Sequence, residues 1–430
     1  MKKAIALLRQ NELMFTLCVM VALVMVGLSM VAPILPLYGR TFGVNGALIG
    51  LIVSAYPIAR LLTNTPAGRL ADRFGRRPFL LGGMCFTVIS AIICGLAPIY
   101  AVLLFGRFLE GIGSALFITS AQATVADIST PENRGRLMST FQASFLLGST
   151  AGPTIGGVIA GAVGARGVFF VYSGMAFLAL IWAFSRRHTI PTPAREEATV
   201  QEAMTRPRTS PFAAWRYLSD ISFLAICLLT LAQFFTRTGT RTTALPLLGA
   251  DRYNLGAEAI GGILTLATLG NLICIPVSGW MVDNLGRKAA IVPSTILSGI
   301  SVICFIISPN ILWFTLSAAL FGISTGVAGP APSAYVADLA QGQGIGARLG
   351  VYRSFGDIGF ILGPICMGIV SDAAGYGPAL AINAAMIIVT GIFFAMVARE
   401  TGGKRQRAKV AAAAHESVPK PVPETAHGDD

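Results

Sequence analysis

Arg107 and Glu110 stand three residues apart in an otherwise apolar stretch, and Arg353 and Asp357 stand four apart in another. Either spacing puts both side chains on one helical face, where opposite charges can pair. Arg60, which shares a face with Asn64, and Arg237 and Arg241 interrupt further apolar stretches. An ionisable group at mid-bilayer costs at least about 2.5–3.5 kcal/mol on insertion scales, so it faces a cavity or a partner. Two readings of the pairs stay open. Either they neutralise themselves and fix helix positions, or Glu110 or Asp357 exchanges a proton while its arginine tunes the carboxyl group. Thr230, Gln233, Arg237, Thr240 and Arg241 fall on one face at helical spacing. With Arg353, that stripe either forms a positive wall for an anionic solute or lines an outer vestibule. Tyr56, Gln142, Phe145, Asn271 and Tyr352 complete the cavity candidates.

The elements that must position these residues follow from composition. Mean hydropathy is +0.70, and only 12% of residues are charged, against about 25% in a soluble domain. A crossing of the bilayer takes about 20 apolar residues. Spans of that kind are predicted near 13–38, 46–67, 79–97, 101–125, 137–163 and 167–185, then near 219–247, 258–281, 289–308, 311–337, 348–373 and 376–398. The barrel-type alternation of apolar residues is lacking, so the fold class is an all-α membrane protein with twelve transmembrane helices. Residues 1–12 form a cytoplasmic N-terminus, 13–185 a six-helix bundle and 186–218 a polar linker with a short surface helix near 211–218. Residues 219–398 form a second six-helix bundle. Residues 399–430 form a disordered cytoplasmic tail, whose Lys404, Arg405, Arg407 and Lys409 face anionic lipid.

The two bundles are related by duplication. GRLADRFGRR at 68–77 returns as GWMVDNLGRK at 279–288, an offset of 211 residues. The same offset carries Ala126-Asp127 to Ala337-Asp338 and Gly152-Pro153 to Gly363-Pro364. One shift shared by three signatures marks pseudo-symmetric halves, and a site between parallel halves is how many secondary transporters are built. The glycines of the repeated loop permit a tight reversal between helices. An aspartate near a helix N-terminus gains about 0.3–1 kcal/mol when exposed, enough to bias a conformational equilibrium without locking it.

Charge placement orients the chain. The net charge is +12, with most of the cations in the tails and in alternate loops. Arg40, Arg166 and Arg252 are the cations of the opposite loops. Cationic loops stay cytoplasmic, so both termini and the central linker are placed there. A nucleic-acid binder would gather its cations on one folded surface with stacking aromatics, and none is expected as a partner. The seven cysteines lie in apolar spans without C-x-x-C spacing, and the three histidines lie in the linker and tail. Neither a disulfide framework, a metal site nor a cofactor is expected. The basic start leads into an apolar run too long for a signal peptide, so it is retained as the first helix.

The loop at 68–77 resembles the hallmark G-x-L-A-D-R-x-G-R-R loop of the major facilitator superfamily, and the likeness extends over residues 13–398. The resemblance implies two bundles rocking about a central cavity. It implies a cytoplasmic latch of Gly68, Asp72, Gly75 and Arg76 with Asp127 as partner, closed in the outward-facing state, and a weaker copy at Asp283, Arg287 and Asp338. GSTAGPTIGG at 148–157 is similar to the G-x-x-x-G-P-x-x-G-G signature of drug:proton antiporters, carried here by Gly148, Gly152, Pro153 and Gly157. In physical terms, its small residues permit close helix contact and its proline bends the helix. Pro33-Ile34-Leu35-Pro36, partly echoed by Leu245-Pro246, also resembles twelve-helix drug exporters. Arg107 and Gly111 match a fourth-helix motif whose arginine is associated with proton transfer. One departure stands out: no acid lies between Met14 and Tyr38, so a proton route through the first helix is excluded.

The expected function is secondary active transport of a small organic solute by alternating access, as a proton-coupled efflux antiporter in a bacterial-type inner membrane. An uptake carrier or facilitator for a metabolite, siderophore or metal chelate is the alternative. The sequence has no G-x-x-x-x-G-K-[ST] loop and no Ser/His/Asp set within the spans, so neither an ATP-driven pump nor an embedded enzyme is expected. The resemblance favours a monomer.

Overall fold

Backbone polar groups inside lipid must bond to one another, and this chain satisfies them as helices. The computed structural model describes residues 2–130, 133–186, 217–329, 331–340 and 345–401. Most of the linker and its surface helix, and the tail beyond 401, lie outside the described residues. The first half comprises α1 (Lys2–Val31), α2 (Leu35–Arg40), α3 (Gly46–Phe74), α4 (Arg76–Leu96), α5 (Tyr100–Asp127) and α6 (Arg134–Ser185). The second comprises α7 (Ile221–Phe235), a π-helical segment (Thr236–Ala244), α8 (Leu245–Tyr253), α9 (Ala257–Asn284), α10 (Arg287–Ile307), α11 (Ile311–Ala328), α12 (Ala331–Ala340), α13 (Ile345–Ala374) and α14 (Tyr376–Val397).

Among the described residues eleven helical stretches are long and apolar enough to cross a bilayer. One of them, α6, runs for 52 residues and is broken at Gly164, whose φ is +77°. That break makes two crossings of one stretch, and the total is twelve. Three expected spans differ locally from continuous helices. The first ends as a helix at Val31 and resumes as α2, because Pro33 lacks the amide proton that a continuing helix requires. The span near 311–337 is divided between α11 and α12, with Gly329-Pro330 at the junction. The span near 219–247 carries nine π-helical residues.

Each half builds its own core. Leu17, Met20, Phe117 and Phe141 centre one cluster, and Val31, Phe169 and Tyr172 a second, both in the first half. Phe223, Tyr335 and Phe394, and then Phe305, Phe314 and Phe321, centre the two clusters of the second half. Large apolar side chains such as Phe105, Ile273 and Met396 stay exposed on the outer surface, where lipid rather than protein covers them. The duplication is visible in the turns as well: Gly75 and Gly286, 211 residues apart, both open a helix at positive φ, 88° and 115°. That conformation suits glycine.

The halves meet along two seams, α3 against α13 and α6 against α9. Each seam depends on a missing side chain. A Cβ on Gly50 would sit 2.2 Å from the Pro364 carbonyl oxygen, and one on Gly261 would sit 2.4 Å from that of Pro153. These two contacts are the same contact shifted by 211 residues. Gly152-Pro153 and its repeat therefore serve the interface between bundles, one proline carbonyl resting on a glycine of the opposite half.

Candidate functional site

The seams close one end of the molecule with polar contacts. Arg40, at the end of α2, forms a two-pronged ion pair with Asp251 of α8, and its Nη2 also donates to the Tyr376 hydroxyl at 2.6 Å. The Tyr376 hydroxyl donates to Asp251 at 3.0 Å. The bond to Asp251 holds the Arg40 guanidinium above its ordinary range. Asp372 accepts the amides of Gly46 and Ala47, at 2.9 and 3.0 Å, at the N-terminus of α3. Deeper along the seams, Ser54 donates to the Ile361 carbonyl at 2.6 Å and Thr154 to Thr265 at 2.7 Å.

The other end carries the duplicated loops, and there the ion pairs stay within one half. Arg76 pairs with Asp72 and, at 3.2 Å, with Asp127. Arg287 pairs with Asp338 at 3.0 Å and with Asp283 at 3.6 Å. Gly68 and Gly75 flank the first set, and Glu400 accepts the Arg287 amide at 2.8 Å in the second. Among the described residues no hydrogen bond joins the halves at this end. Among the described residues, the polar contacts between the halves thus lie at the Arg40–Asp251 end and along the seams, and the ion pairs of the repeated loops lie within each half.

Between the halves lie two adjoining cavities of about 360 and 480 Å³, with Arg237 in the wall of both. Tyr56, Arg60, Arg107, Arg241 and Asn271 line the first, together with Phe145 and Pro153. Gln142, Gln233, Tyr352 and Arg353 line the second. Gly148, Gly152 and Gly157 lie behind this surface, where they face α1 and α9 across close helix contacts.

Arg107 and Glu110 form a buried ion pair of 2.5 Å, the residues being 5% and 0% exposed. The Arg107 guanidinium also lies 5.4 Å from the Tyr56 ring centre, and the Tyr56 hydroxyl is 2.6 Å from that of Ser114. Arg107 Nε and Glu110 Oε1 have no hydrogen-bond partner among the described residues. Arg107 lines the cavity while Glu110 sits behind it, so the carboxylate reaches the cavity through its arginine.

The second expected pair is not formed. Arg353 and Asp357 have no charged atoms within bonding range, and Asp357 instead lies in the combined field of Arg60, from the opposite half, and Arg353. Helical spacing placed two residues on one face but could not show that the longer arginine side chain turns toward the cavity. The stripe on α7 also divides. Gln233 bonds Thr295 at 3.2 Å, Thr230 bonds the Ile226 carbonyl, and Thr240 is buried against Asn383. The wider π winding is the reason: residues after Phe235 leave the α-helical register, and Arg237 and Arg241 turn to the cavity while Thr240 turns away.

Sequence reasoning did not pick out Asp251, Asp372 or Tyr376. A signal for the first was present: Arg40 and Asp251 are separated by the duplication's own offset of 211 residues. Opposite charges at equivalent positions of two pseudo-symmetric halves meet at the axis between them.

The model of the Major Facilitator Superfamily matches residues 17–259 and 229–424. Multidrug resistance protein 2 of Bacillus subtilis (strain 168) is 25% identical over 410 residues, covering 93% of this chain and 98% of that protein. The class C tetracycline resistance protein of Escherichia coli is 25% identical over 398 residues, covering 89% and 96%. A bacterial homologue of the human lysosomal transporter Spinster, solved in an inward-facing, unoccupied conformation, shares the fold with a TM-score of 0.71 at 15% identity, covering 91% of this chain and 95% of that one. Twelve crossings in two duplicated bundles and a superfamily match over nearly their whole length establish that the chain is a multi-pass membrane transporter belonging to the Major Facilitator Superfamily.

Proposed function

We propose that the chain exports small organic solutes by alternating access and exchanges them for protons, in a bacterial-type inner membrane with both termini cytoplasmic. The single observation that carries this reading is the asymmetry of closure. Inter-half bonds gather at the Arg40–Asp251 end, while at the repeated loops each set of ion pairs stays within its own half. With the cationic loops placed in the cytoplasm, this is the inward-open state, in which an exporter loads. In the opposite state the Asp72–Arg76–Asp127 and Asp283–Arg287–Asp338 sets act as the latch. Both relatives named above carry resistance in their names, which supports export over uptake.

Glu110 is assigned the proton. Burial disfavours its charged form and Arg107 favours it, so a cargo or a conformational change that draws Arg107 away favours protonation. Its titratable neighbours are Tyr172 and Cys94. Asp357, in the field of Arg60 and Arg353, is the second candidate. The cavity residues Tyr56, Arg60, Gln142, Gln233, Arg237, Asn271 and Tyr352 are assigned to the solute.

The test is flux into proteoliposomes under an imposed pH gradient. Solute accumulation that collapses with a protonophore supports exchange for protons. Equilibration indifferent to the gradient would sink coupling and leave a facilitator. Asp72→Asn is expected to slow flux while leaving solute binding intact, and loss of binding in well-folded protein would remove it from the latch.

A further inference from the structure

The central cavity holds more positive charge than its protein partners neutralise. Arg60, Arg107, Arg237 and Arg241 line its first part and Arg353 its second, and neither wall contains an acidic residue. Among the described residues, two carboxylates bear on these five arginines. Glu110 is engaged by Arg107, and Asp357 feels the charges of Arg60 and Arg353. Arg237 and Arg241 have neither. Arg237 makes no hydrogen bond or ion pair with a described residue, and Arg241 donates to the Thr268 hydroxyl while its charged neighbour is Arg237. Arg237 is exposed to the cavity and Arg241 partly so, and two like charges held side by side repel each other. A site built that way is completed by an anion from outside.

The geometry specifies more than charge. Both arginines project from the π-helical segment, whose irregular winding is a feature common at functional sites. Guanidinium groups are suited to carboxylate, phosphonate or sulfonate oxygens because they bind two at once. The same cavity also presents apolar side chains, Met25, Leu28, Val53 and Phe145 of the first half and Leu264 and Phe360 of the second. A wholly hydrophilic anion would leave those side chains unused, and a lipophilic cation would meet five guanidinium groups.

We infer that the transported solute is an amphipathic organic anion, its acidic group held by Arg237 and Arg241 and its apolar body against the wall of α1, α3 and α6. This inference rests on the transporter reading and narrows its cargo.

Three matched probes test it: naphthalene-2-carboxylate, its neutral carboxamide and naphthalen-2-ylmethylammonium, titrated calorimetrically into the purified full-length protein. The carboxylate is expected to bind at least tenfold more tightly than the carboxamide, and the ammonium weakest. Arg237→Gln and Arg241→Gln should each weaken the carboxylate about ten- to a hundredfold, the equivalent of one charge-assisted hydrogen bond. The uncharged carboxamide should lose severalfold less, and a thermal midpoint close to that of the unaltered protein verifies that each variant folds. Arg241→Lys should retain more affinity than Arg241→Gln. If either glutamine variant does not fold, competition on the unaltered protein decides: benzoate should displace naphthalene-2-carboxylate, and benzamide should not. An ammonium probe that binds as tightly as the carboxylate, or a carboxylate affinity indifferent to both substitutions, overturns the inference. Flux of the same probes separates the two readings. Carriage of the ammonium alone in proteoliposomes would preserve the transporter and remove the anion. Carboxylate binding without flux would preserve the anion site and count against transport.

Discussion

A buried guanidinium–carboxylate pair is stable as a pair and unstable as either half. Breaking one by removing a single partner costs about 3–5 kcal/mol, because an uncompensated charge is left behind, whereas removing both together can be nearly neutral. For Arg107 and Glu110, both almost wholly buried, Glu110→Gln should therefore lower the thermal midpoint more than the Arg107→Gln/Glu110→Gln double variant does. The same Glu110→Gln protein should transport without responding to pH. Thermal unfolding and gradient-driven flux read the two effects separately. An unchanged pH response would take Glu110 out of the proton path and leave Asp357 as the remaining candidate. The Arg40–Asp251 pair is of another kind. Arg40 and Asp251 are 34% and 43% exposed, and pairs so accessible contribute about 0–1 kcal/mol. The proposed alternating access requires this seal to open in every cycle, and several such contacts suit that better than one strong one.

At the level of helices, the seams rather than the salt bridges decide how closely the halves approach. Pro153 and Pro364 bring their carbonyls against Gly261 and Gly50, and any side chain at those glycines holds the helices apart. Gly261→Val should thus favour the state open at the Arg40–Asp251 end. A cysteine placed at Thr265, in protein lacking native cysteines, should then react severalfold faster with a membrane-impermeant maleimide added from outside. Unchanged labelling would mean that the seam is not the closing contact. Much of this element-level design was legible in the sequence, since the 211-residue offset located Gly152-Pro153 and its repeat, and hydropathy located the crossings. What those proline motifs touch was not legible, because the partner glycine lies in the other half. The π segment was equally hidden. In TRTGTRTTA the two arginines stand four apart, as on an α-helix, and nothing local shows that the winding widens after Phe235. Likewise Arg353 and Asp357 have the spacing of a pair, and only the tertiary arrangement places Arg60 near the aspartate.

For the whole molecule, the identity of the cargo and the coupling of protons meet in one electrical quantity. A monoanion leaving in exchange for one entering proton carries two charges in the direction favoured by an interior-negative potential. At about 2.3 kcal/mol per charge per 100 mV, the potential then contributes about 4.6 kcal/mol to export. A monovalent cation exchanged for one proton moves no net charge and gains nothing from the potential. An anion carried without a proton moves one charge and gains half as much. Liposomes loaded with potassium, given valinomycin and diluted to set a graded interior-negative potential, measure this directly. With a carboxylate probe and no pH gradient, the limiting ratio of external to internal probe should rise with potential at the slope for two charges. A slope for one charge would keep the anion and discard the proton. No dependence on potential, in vesicles that still exchange the probe, would discard net charge movement and with it the one-for-one exchange of an anion for a proton.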